Sequence, residues 1–204
     1  MASFRPRQFS VVVIGASTGG PAALRTVLGG LPAEFPVPVV VVQHMPPGFT
    51  RSLAARLDEL GPLRVKEAQD GDTLRPGVAL LAPGDYHLII EAHGTVRLSS
   101  DPPECGVRPS VNVTLASAAR RYGAGTLGVI LTGMGTDGTR GAGAVKAAGG
   151  VILAEAESTC VVFGMPRSVM EAGYADDMIP LHGMAAAISR LCRTSRPVLE
   201  ARYG

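Results

Sequence analysis

Residues 11–20 read VVVIGASTGG, an apolar run that stops at a turn of small residues carrying a serine. Four successive branched residues without polar alternation indicate a strand covered on both faces, as in the parallel sheet of an α/β fold. Pro21 then opens a helix pattern, since proline fits the first helical turn. Because ligands bind beyond the carboxyl ends of the strands in such folds, Ser17 lies where chemistry is expected.

The turn by itself fits three interpretations. Gly15-x-Ser17-x-Gly19 matches the nucleophile-elbow pattern, which exposes a serine hydroxyl at the top of a sheet. The same turn loosely resembles a phosphate-cradling loop, although Ser17 breaks the dinucleotide-binding fingerprint and the lysine of a P-loop is missing. A tight strand-to-helix connection without chemistry also explains the glycines. Residues elsewhere in the chain are needed to choose between a nucleophile, an anion site and plain geometry.

The composition indicates one domain without a nucleic-acid or membrane signature. A chain of 204 residues with 46% hydrophobic content can close a single core. The net charge is only +2 and the charges are mixed along the chain, which disfavours nucleic acid and anionic membranes as partners. We find neither a signal peptide nor an apolar stretch long enough to span a bilayer, which predicts a cytoplasmic protein. The widely spaced Cys105, Cys160 and Cys192 predict neither a zinc site nor a redox pair, and reduced thiols are expected.

Apolar runs alternate with helical patterns along the chain, which predicts a doubly wound, mostly parallel sheet with helices on both faces. The predicted strands are 11–14, 37–42, 64–67, 78–82, 126–131, 151–154 and 176–179, and the predicted helices begin at 21 and cover 49–60, 110–122, 139–148, 166–172 and 182–193. Residues 86–91 and 95–99 predict a small antiparallel hairpin, an excursion at one edge of the sheet. The domain is expected to cover 9–193, with flexible tails at 1–8 and 194–204.

Ser17, His44 and Asp137 each follow a predicted parallel strand, so we expect them to be neighbours at one edge of the sheet. A serine hydroxyl becomes a nucleophile when an imidazole takes its proton, and a carboxylate on the other ring nitrogen fixes the imidazole tautomer. Each residue alone has a structural alternative, such as a helix cap for Asp137, but the three together favour acyl transfer. The amides of Thr18 and Met134, in turns at the same edge, are candidate oxyanion donors.

Other polar residues have less specific predictions. Arg108 either orients an acidic substrate or pairs with a carboxylate. His87 lies inside an apolar strand, His93 at a turn tip and His182 near a helix start, and all three are expected to be structural. Ser110 is the predicted N-cap of the helix that follows it.

Four ordered motifs carry a resemblance to a known family. They are VIGASTGG at 13–20, QHMPPGFT at 43–50, LTGMGTDG at 131–138 and VVFGMP at 161–166, with further agreement at 81–88 and 108–111. From about Phe9 to Arg193 the chain resembles the catalytic domain of CheB, the protein-glutamate methylesterase of chemotaxis. The resemblance implies a doubly wound α/β enzyme that hydrolyses γ-glutamyl methyl esters on chemoreceptor helices, releasing methanol. It also implies deamidation of receptor glutamines in some members.

The resemblance implies a role for each site residue. Ser17 would be the nucleophile, His44 the general base and acid, Asp137 the residue that orients His44, and Met134 part of the oxyanion site. No metal or cofactor is implied. The implied partners are the methylated cytoplasmic helices of chemoreceptors and, because the chain begins close to its first catalytic strand, a receiver domain acting in trans.

Two departures from the family pattern bear on substrate preference. Val107 stands where histidine is frequent in the family, and Asn112 where aspartate is frequent. Two alternatives to the esterase are a catalytically silent module that binds a receptor through the same rim, and a nucleotide-binding protein that uses the glycine turn.

Overall fold

The structure, a computed structural model, describes residues 8–193, so the predicted tails lie outside the described residues except for Gln8. The strands are β1 (Val11–Ala16), β2 (Val39–Gln43), β3 (Arg64–Glu67), β4 (Val78–Leu81), β5 (His87–Ile90), β6 (Val96–Ser99), β7 (Thr126–Ile130), β8 (Val151–Glu155) and β9 (Asp177–Ile179). The helices are α1 (Gly20–Gly29), α2 (Phe49–Leu60), α3 (Val111–Tyr122), α4 (Thr139–Ala147), α5 (Met165–Glu171) and α6 (Leu181–Arg193).

The main sheet has seven strands in the order β3-β4-β2-β1-β7-β8-β9, and all its neighbouring strands are parallel. On one side of β1 the chain forms β2, then the edge strand β3, and then β4 between these two; on the other side it forms β7, β8 and β9 in order. Gly15 pairs with Val42 on one side and with Ile130 on the other. The direction of winding reverses between β1 and β7, so the predicted doubly wound fold is confirmed and Ser17 follows the strand at the switch point.

Strand β1 shows no polar alternation because helices cover both faces of the sheet. Val12 and Ile14 point into an apolar cluster formed with α1, α2 and α6. Val11 and Val13 point into a second cluster, formed with α3, α4, α5 and the β5–β6 hairpin. Every residue of β1 is therefore buried, as a strand between two helical layers requires.

The predicted hairpin is present, but its placement at an edge of the main sheet is wrong. Strands β5 and β6 form a separate antiparallel sheet. It is joined to α3 by two hydrogen bonds, from Thr114 Oγ1 to the carbonyl of Leu88 (2.8 Å) and from the amide of Ile90 to Ser117 Oγ (3.0 Å). Val96 of β6 also bonds to the loop after β3, donating to the carbonyl of Asp72 (2.7 Å) and accepting from the amide of Gly71 (2.8 Å). The hairpin therefore lies between α3 and that loop, and neither of its strands belongs to the main sheet.

No helix within residues 8–193 is long and apolar enough to cross a bilayer. All three cysteines are free thiols, as predicted. Burial, with the charge of Glu155 beside it, raises the pKa of the Cys160 thiol to about 12, and burial alone raises that of Cys192 to about 12. Both thiols therefore stay protonated at neutral pH, which makes them poor nucleophiles and metal ligands.

Candidate active site

The turn that carries the candidate nucleophile Ser17 (residues 17–20, the nucleophile turn) lies directly beyond β1 and is held by the turn that follows β7. The amide of Ser17 donates to the carbonyl of Thr132 (3.0 Å), and the amide of Gly20 donates to the carbonyl of Ser17 (2.8 Å). A Cβ added to Gly133 would lie 2.7 Å from Ser17 Cβ, so only glycine lets the two turns approach this closely. Gly19 precedes α1 with a left-handed φ of 83°, which lets the chain pass from strand to helix within the turn.

His44 and Asp137 meet at this edge of the sheet, as the sequence predicted. The amide of His44 donates to the carbonyl of Ala16 (3.1 Å), which fixes its loop beside the nucleophile turn. His44 Nε2 lies 2.7 Å from Asp137 Oδ2, and the two side chains are 11% and 3% exposed. The carboxylate keeps a proton on Nε2, so Nδ1 carries the lone pair that can accept a proton. Among the described residues Ser17 Oγ has no hydrogen-bond partner; such catalytic bonds often form only when substrate binds.

The carboxylate of Asp137 is buried among hydrogen-bond donors. It accepts bonds from Ser110 Oγ (2.8 Å) and from the amides of Val111 (2.7 Å), Asn112 (3.0 Å) and its own neighbour Gly138 (3.0 Å). Burial by itself would raise its pKa. The bonds from His44, the two α3 amides and Ser110 outweigh burial and hold the Asp137 pKa below its ordinary value. Asp137 is therefore ionised at neutral pH, which its predicted role beside His44 requires.

Asp137 caps a different helix from the one that sequence proximity suggests. The N-cap position of α4 is Gly138, whereas the Asp137 carboxylate occupies the first amides of α3, where the helix dipole favours a negative charge. Ser110 is the N-cap of α3 by position, as predicted, but its hydroxyl caps no amide. Its hydroxyl donates to Asp137 instead, because that carboxylate already takes the α3 amides.

The two predicted oxyanion donors have amides that are not used inside the protein. Within residues 8–193 neither the Thr18 nor the Met134 amide donates to a protein acceptor. The carbonyl of Gly133 accepts the amides of Gly164 (3.1 Å) and Met165 (2.8 Å). The carbonyl and the amide of a trans peptide point in opposite directions, so the Met134 N–H is directed away from those two residues. Both amides are thus available to a developing oxyanion.

An open cleft of about 400 Å³ lies beside Ser17, between the nucleophile turn and the loop of residues 43–49. Phe49, which lines the cleft, is 64% exposed. Met134, which follows the Gly133 that packs on Ser17, and Val161 are each 69% exposed. Val161 lies against the nucleophile turn, because a Cβ on Gly19 would be 2.7 Å from it. An open cleft with an apolar rim suits a large partner more than an enclosed small molecule.

A larger cavity, of about 600 Å³, lies at the opposite edge of the sheet between residues 32–36, 76–77 and Arg193. It contains none of the predicted site residues. The smaller cleft contains Ser17 and His44, so we assign the candidate active site to it in spite of its smaller volume.

The guanidinium of Arg108 is used within the fold. It pairs with Asp85 Oδ1 (2.6 Å) and donates to the carbonyls of Ser100 (2.7 Å) and Asp101 (3.0 Å). Of the two alternatives from sequence, these contacts support pairing with a carboxylate.

The contacts of His87 agree with the structural role that its sequence context predicts. His87 is buried, its Nδ1 accepts the amide of Ser110 (3.2 Å) and its Nε2 lies 3.1 Å from the carbonyl of Pro102. With Nε2 as donor and Nδ1 as acceptor, the neutral ring satisfies both partners. His87 thereby holds the segment that delivers Ser110 to Asp137.

One group of side chains in the described range has the spacing of a metal site. Glu104, Cys105 and Asp137 offer ligand atoms within 4.8 Å of one another. The Asp137 oxygens already accept the bonds described above, and Glu104 pairs with Arg140 (2.5 Å). Burial and the charges of Asp137 and Glu104 raise the pKa of the Cys105 thiol, which keeps it protonated. The Asp137 oxygens and Glu104 Oε2 are therefore engaged with protein partners, whereas Glu104 Oε1 is buried without a hydrogen-bond partner among the described residues.

Sequence reasoning missed three buried polar residues beneath the site. Gln43 Nε2 donates to the carbonyls of Ser17 (2.9 Å) and His44 (3.1 Å). Thr132 Oγ1 donates to the carbonyl of Thr18 (2.9 Å), and the Thr132 amide donates to Glu155 Oε2 (2.8 Å). A usable signal was present, because each of the three is a polar residue at or just after the end of an apolar strand.

Comparison with known proteins identifies the family. Residues 12–188 match the CheB methylesterase family. The chain belongs to that family. A protein-glutamate methylesterase/protein-glutamine glutaminase of Symbiobacterium thermophilum is 53% identical over 180 residues, covering 88% of this chain and 50% of the relative. One of the same description from Thermotoga maritima is 54% identical over 175 residues, covering 84% of this chain and 51% of the relative.

A solved member of the CheB methylesterase family has the same fold. The crystal structure of the Thermotoga maritima CheB methylesterase catalytic domain matches with a TM-score of 0.87 at 51% identity, covering 90% of this chain and 99% of that one. The chain spans about half the length of the curated relatives it matches. The similarity therefore corresponds to the catalytic domain of such a CheB protein.

Proposed function

We propose that this CheB-family domain is a serine hydrolase that removes methyl groups from glutamate γ-methyl esters on chemoreceptors and deamidates receptor glutamines. The observation that carries the proposal is the His44–Asp137 pair at 2.7 Å beside Ser17, at the carboxyl edge of the sheet. The relatives named above are described as both methylesterase and glutaminase, which supports the two activities. The family does not favour a silent binding module or a nucleotide-binding protein.

The first half of the proposed reaction forms an acyl-enzyme. Ser17 Oγ attacks the ester carbonyl carbon while His44 Nδ1 takes its proton, and Asp137 stabilises the resulting imidazolium. The negative charge moves to the carbonyl oxygen, where the amides of Thr18 and Met134 can donate to it. When the tetrahedral intermediate collapses, His44 returns the proton to the departing methoxide. Methanol leaves, and the glutamyl group stays on Ser17 as an ester.

The second half uses the same groups on water. His44 Nδ1 takes a proton from water as its oxygen attacks the glutamyl ester, and the proton then goes to the departing Ser17 Oγ. The products are a glutamate side chain and the free enzyme. With glutamine as substrate, the first leaving group is ammonia in place of methanol, and the second half is unchanged. No step needs a metal or a cofactor.

The substrate is proposed to be carried on a protein surface. The cleft beside Ser17 is open, and the exposed Phe49, Met134 and Val161 offer apolar contact to a helix that presents a single ester side chain. The cytoplasmic helices of a chemoreceptor are the proposed partner, which places the domain in the cytoplasm. A receiver domain acting in trans stays a prediction.

The test measures methanol release from receptor cytoplasmic fragments that carry labelled methyl esters. Replacing Ser17 with Ala should lower the rate on the order of 10⁴-fold or more, because no other group replaces the nucleophile. Ser52→Ala, the same change at an exposed serine of α2, is the matched control and should leave the rate unchanged. Release by Ser17→Ala at the parent's rate would exclude the mechanism. A parent that binds the fragments without releasing methanol would instead support the silent binding module.

A further inference from the structure

We propose that Gln43 is a positioning residue for this site. From beneath, it holds the nucleophile turn and the loop that carries His44 in a fixed position relative to each other. The inference rests on the proposed hydrolase function. Gln43 is 2% exposed and is the last residue of β2, directly before His44 and next to β1 in the sheet. It is therefore built into the sheet, where its position is set by strand pairing and not by a mobile loop.

One amide group joins the two halves of the site. Gln43 Nε2 donates to the carbonyl of Ser17 at 2.9 Å and to the carbonyl of His44 at 3.1 Å. Both partners are carbonyl oxygens, which can only accept, so the side-chain nitrogen and not Oε1 has to face them. The NH₂ group supplies both bonds, one per hydrogen, and an oxygen or an apolar group at the same place supplies neither.

The bond to the Ser17 carbonyl also aims a candidate oxyanion donor. The Ser17 carbonyl and the Thr18 N–H belong to the same planar trans peptide and point in opposite directions. Holding the carbonyl towards Gln43 therefore holds the Thr18 N–H away from Gln43. The second bond holds the backbone of His44, from which the base extends. Gln43 is thus the side chain that bonds to both the segment of the nucleophile and oxyanion donor and the segment of the base.

A glycine beside Gln43 makes room for this arrangement. A Cβ built on Gly20 would lie 1.9 Å from Gln43 Oε1 and 2.8 Å from its Cδ. Gln43 Oε1 is buried and has no hydrogen-bond partner among the described residues, so this orientation costs the protein one unsatisfied acceptor. Such a cost is accounted for if both N–H groups are needed at the two carbonyls. The lack of space at Gly20 also means that a substitution there would disturb the Gln43 side chain without replacing it.

The experiment compares Gln43→Met, which keeps length and volume but cannot donate, with the matched Gln69→Met at an exposed residue. Two rates are measured well below the unfolding midpoint of each variant: methanol release, and covalent labelling of Ser17 by a fluorophosphonate. We expect Gln43→Met to lower kcat and the labelling rate about 10- to 100-fold with KM within about twofold, since misplacement by about 1 Å costs about this much. Gln69→Met should match the parent in both assays.

Gly20→Ala gives an independent arm, because its Cβ displaces the Gln43 amide while leaving Gln43 in the chain. It should lower the same two rates, and Gln43→Met combined with Gly20→Ala should lose no more than the worse single variant, as expected when two changes break one interaction. If Gln43→Met fails to fold, Gly20→Ala alone decides by the same two rates.

Two results would overturn the proposal: labelling of either variant at the parent's rate, or multiplication of the two effects in the double variant. Labelling needs no receptor. A parent that is labelled rapidly but releases no methanol therefore contradicts the proposed substrate, while the labelling rates still decide the role of Gln43.

Discussion

At the scale of single residues, Asp137 connects chemistry with stability. The carboxylate that is proposed to orient His44 also caps the N-terminus of α3 by accepting its first amides, and it accepts the hydroxyl of Ser110. Those donors lower its pKa although burial opposes them. A group whose folded pKa is lowered contributes stability that is fully present above its unfolded pKa and is lost as the pH falls through the folded value.

We therefore predict that Asp137→Asn lowers the free energy of unfolding at pH 7 by about 1–3 kcal/mol, because an amide cannot satisfy all these donors. The difference from the parent should shrink as the pH falls below the ordinary aspartate pKa of 3.8, where the parent carboxylate begins to be protonated on unfolding. Denaturant unfolding at pH 7, 4 and 3 measures it. Asp177→Asn, at an exposed strand residue, is the control. A difference that stayed constant across this range would contradict the assigned origin of the stability.

At the scale of elements, the crossing of α3 and α4 fixes the position of Asp137. Asn112 Oδ1 accepts the amides of Gly138 (2.9 Å) and Gly141 (2.8 Å), so the amide side chain of α3 holds the first turn of α4. These two bonds give the Asn112 side chain a structural role that does not involve a substrate. The helices touch closely, since a Cβ on Gly141 would lie 2.8 Å from Leu115 Cβ and 2.9 Å from Asn112 Cα.

Gly141→Ala should lower the free energy of unfolding by about 1–3 kcal/mol, although alanine is the better helix former, because overpacking forces the two helices apart. Its esterase rate should fall as well, since the Asp137 loop leads into α4. Gly29→Ala is the matched control: an added Cβ at this residue of α1 meets nothing within 4 Å, and stability should rise by about 0.5–1 kcal/mol. Thermal unfolding of both variants tests the pair, and equal effects would show that helix propensity outweighs packing at Gly141.

At the scale of the whole molecule, one parallel sheet separates two apolar layers. Leu24 of α1 lies fully buried in the first layer, and Leu115 of α3 lies fully buried in the second. The two layers pack on opposite faces of the same strands, so the stability of residues 8–193 depends on both at once. We expect this part of the chain to unfold as one cooperative unit.

Leu24→Ala and Leu115→Ala should each lower the free energy of unfolding by about 2–5 kcal/mol, through lost burial and the cavity that remains. Because the two side chains lie on opposite faces and share no helix, their effects should add within about 0.5 kcal/mol in the double variant. Denaturant titrations followed by two spectroscopic probes measure this. A second transition, or a strong departure from additivity, would show that the layers do not unfold together.

The class of fold and the candidate triad could both be predicted from the sequence. An apolar run without alternation requires cover on both faces, which only a sheet between helical layers provides. In such a sheet the carboxyl ends share one edge, so Ser17, His44 and Asp137 could be placed together from strand positions alone. The motifs around them were sufficient to indicate the family.

The groups that hold the site in place depend on tertiary contacts and could not be predicted from the sequence. The Asp137 carboxylate caps the N-terminus of a helix that begins 26 residues earlier in the chain. The side chain of Gln43 bonds to a carbonyl 26 residues before it, and that of Thr132 to a carbonyl 114 residues before it. Helix and strand periodicities report which face of an element is apolar. They carry no information about which distant carbonyl or amide a buried polar side chain will meet, because that depends on strand order and on close approach at residues such as Gly133. The hairpin was misplaced for the same reason, since it bonds to α3 and to the loop after β3 through contacts between residues distant in the chain.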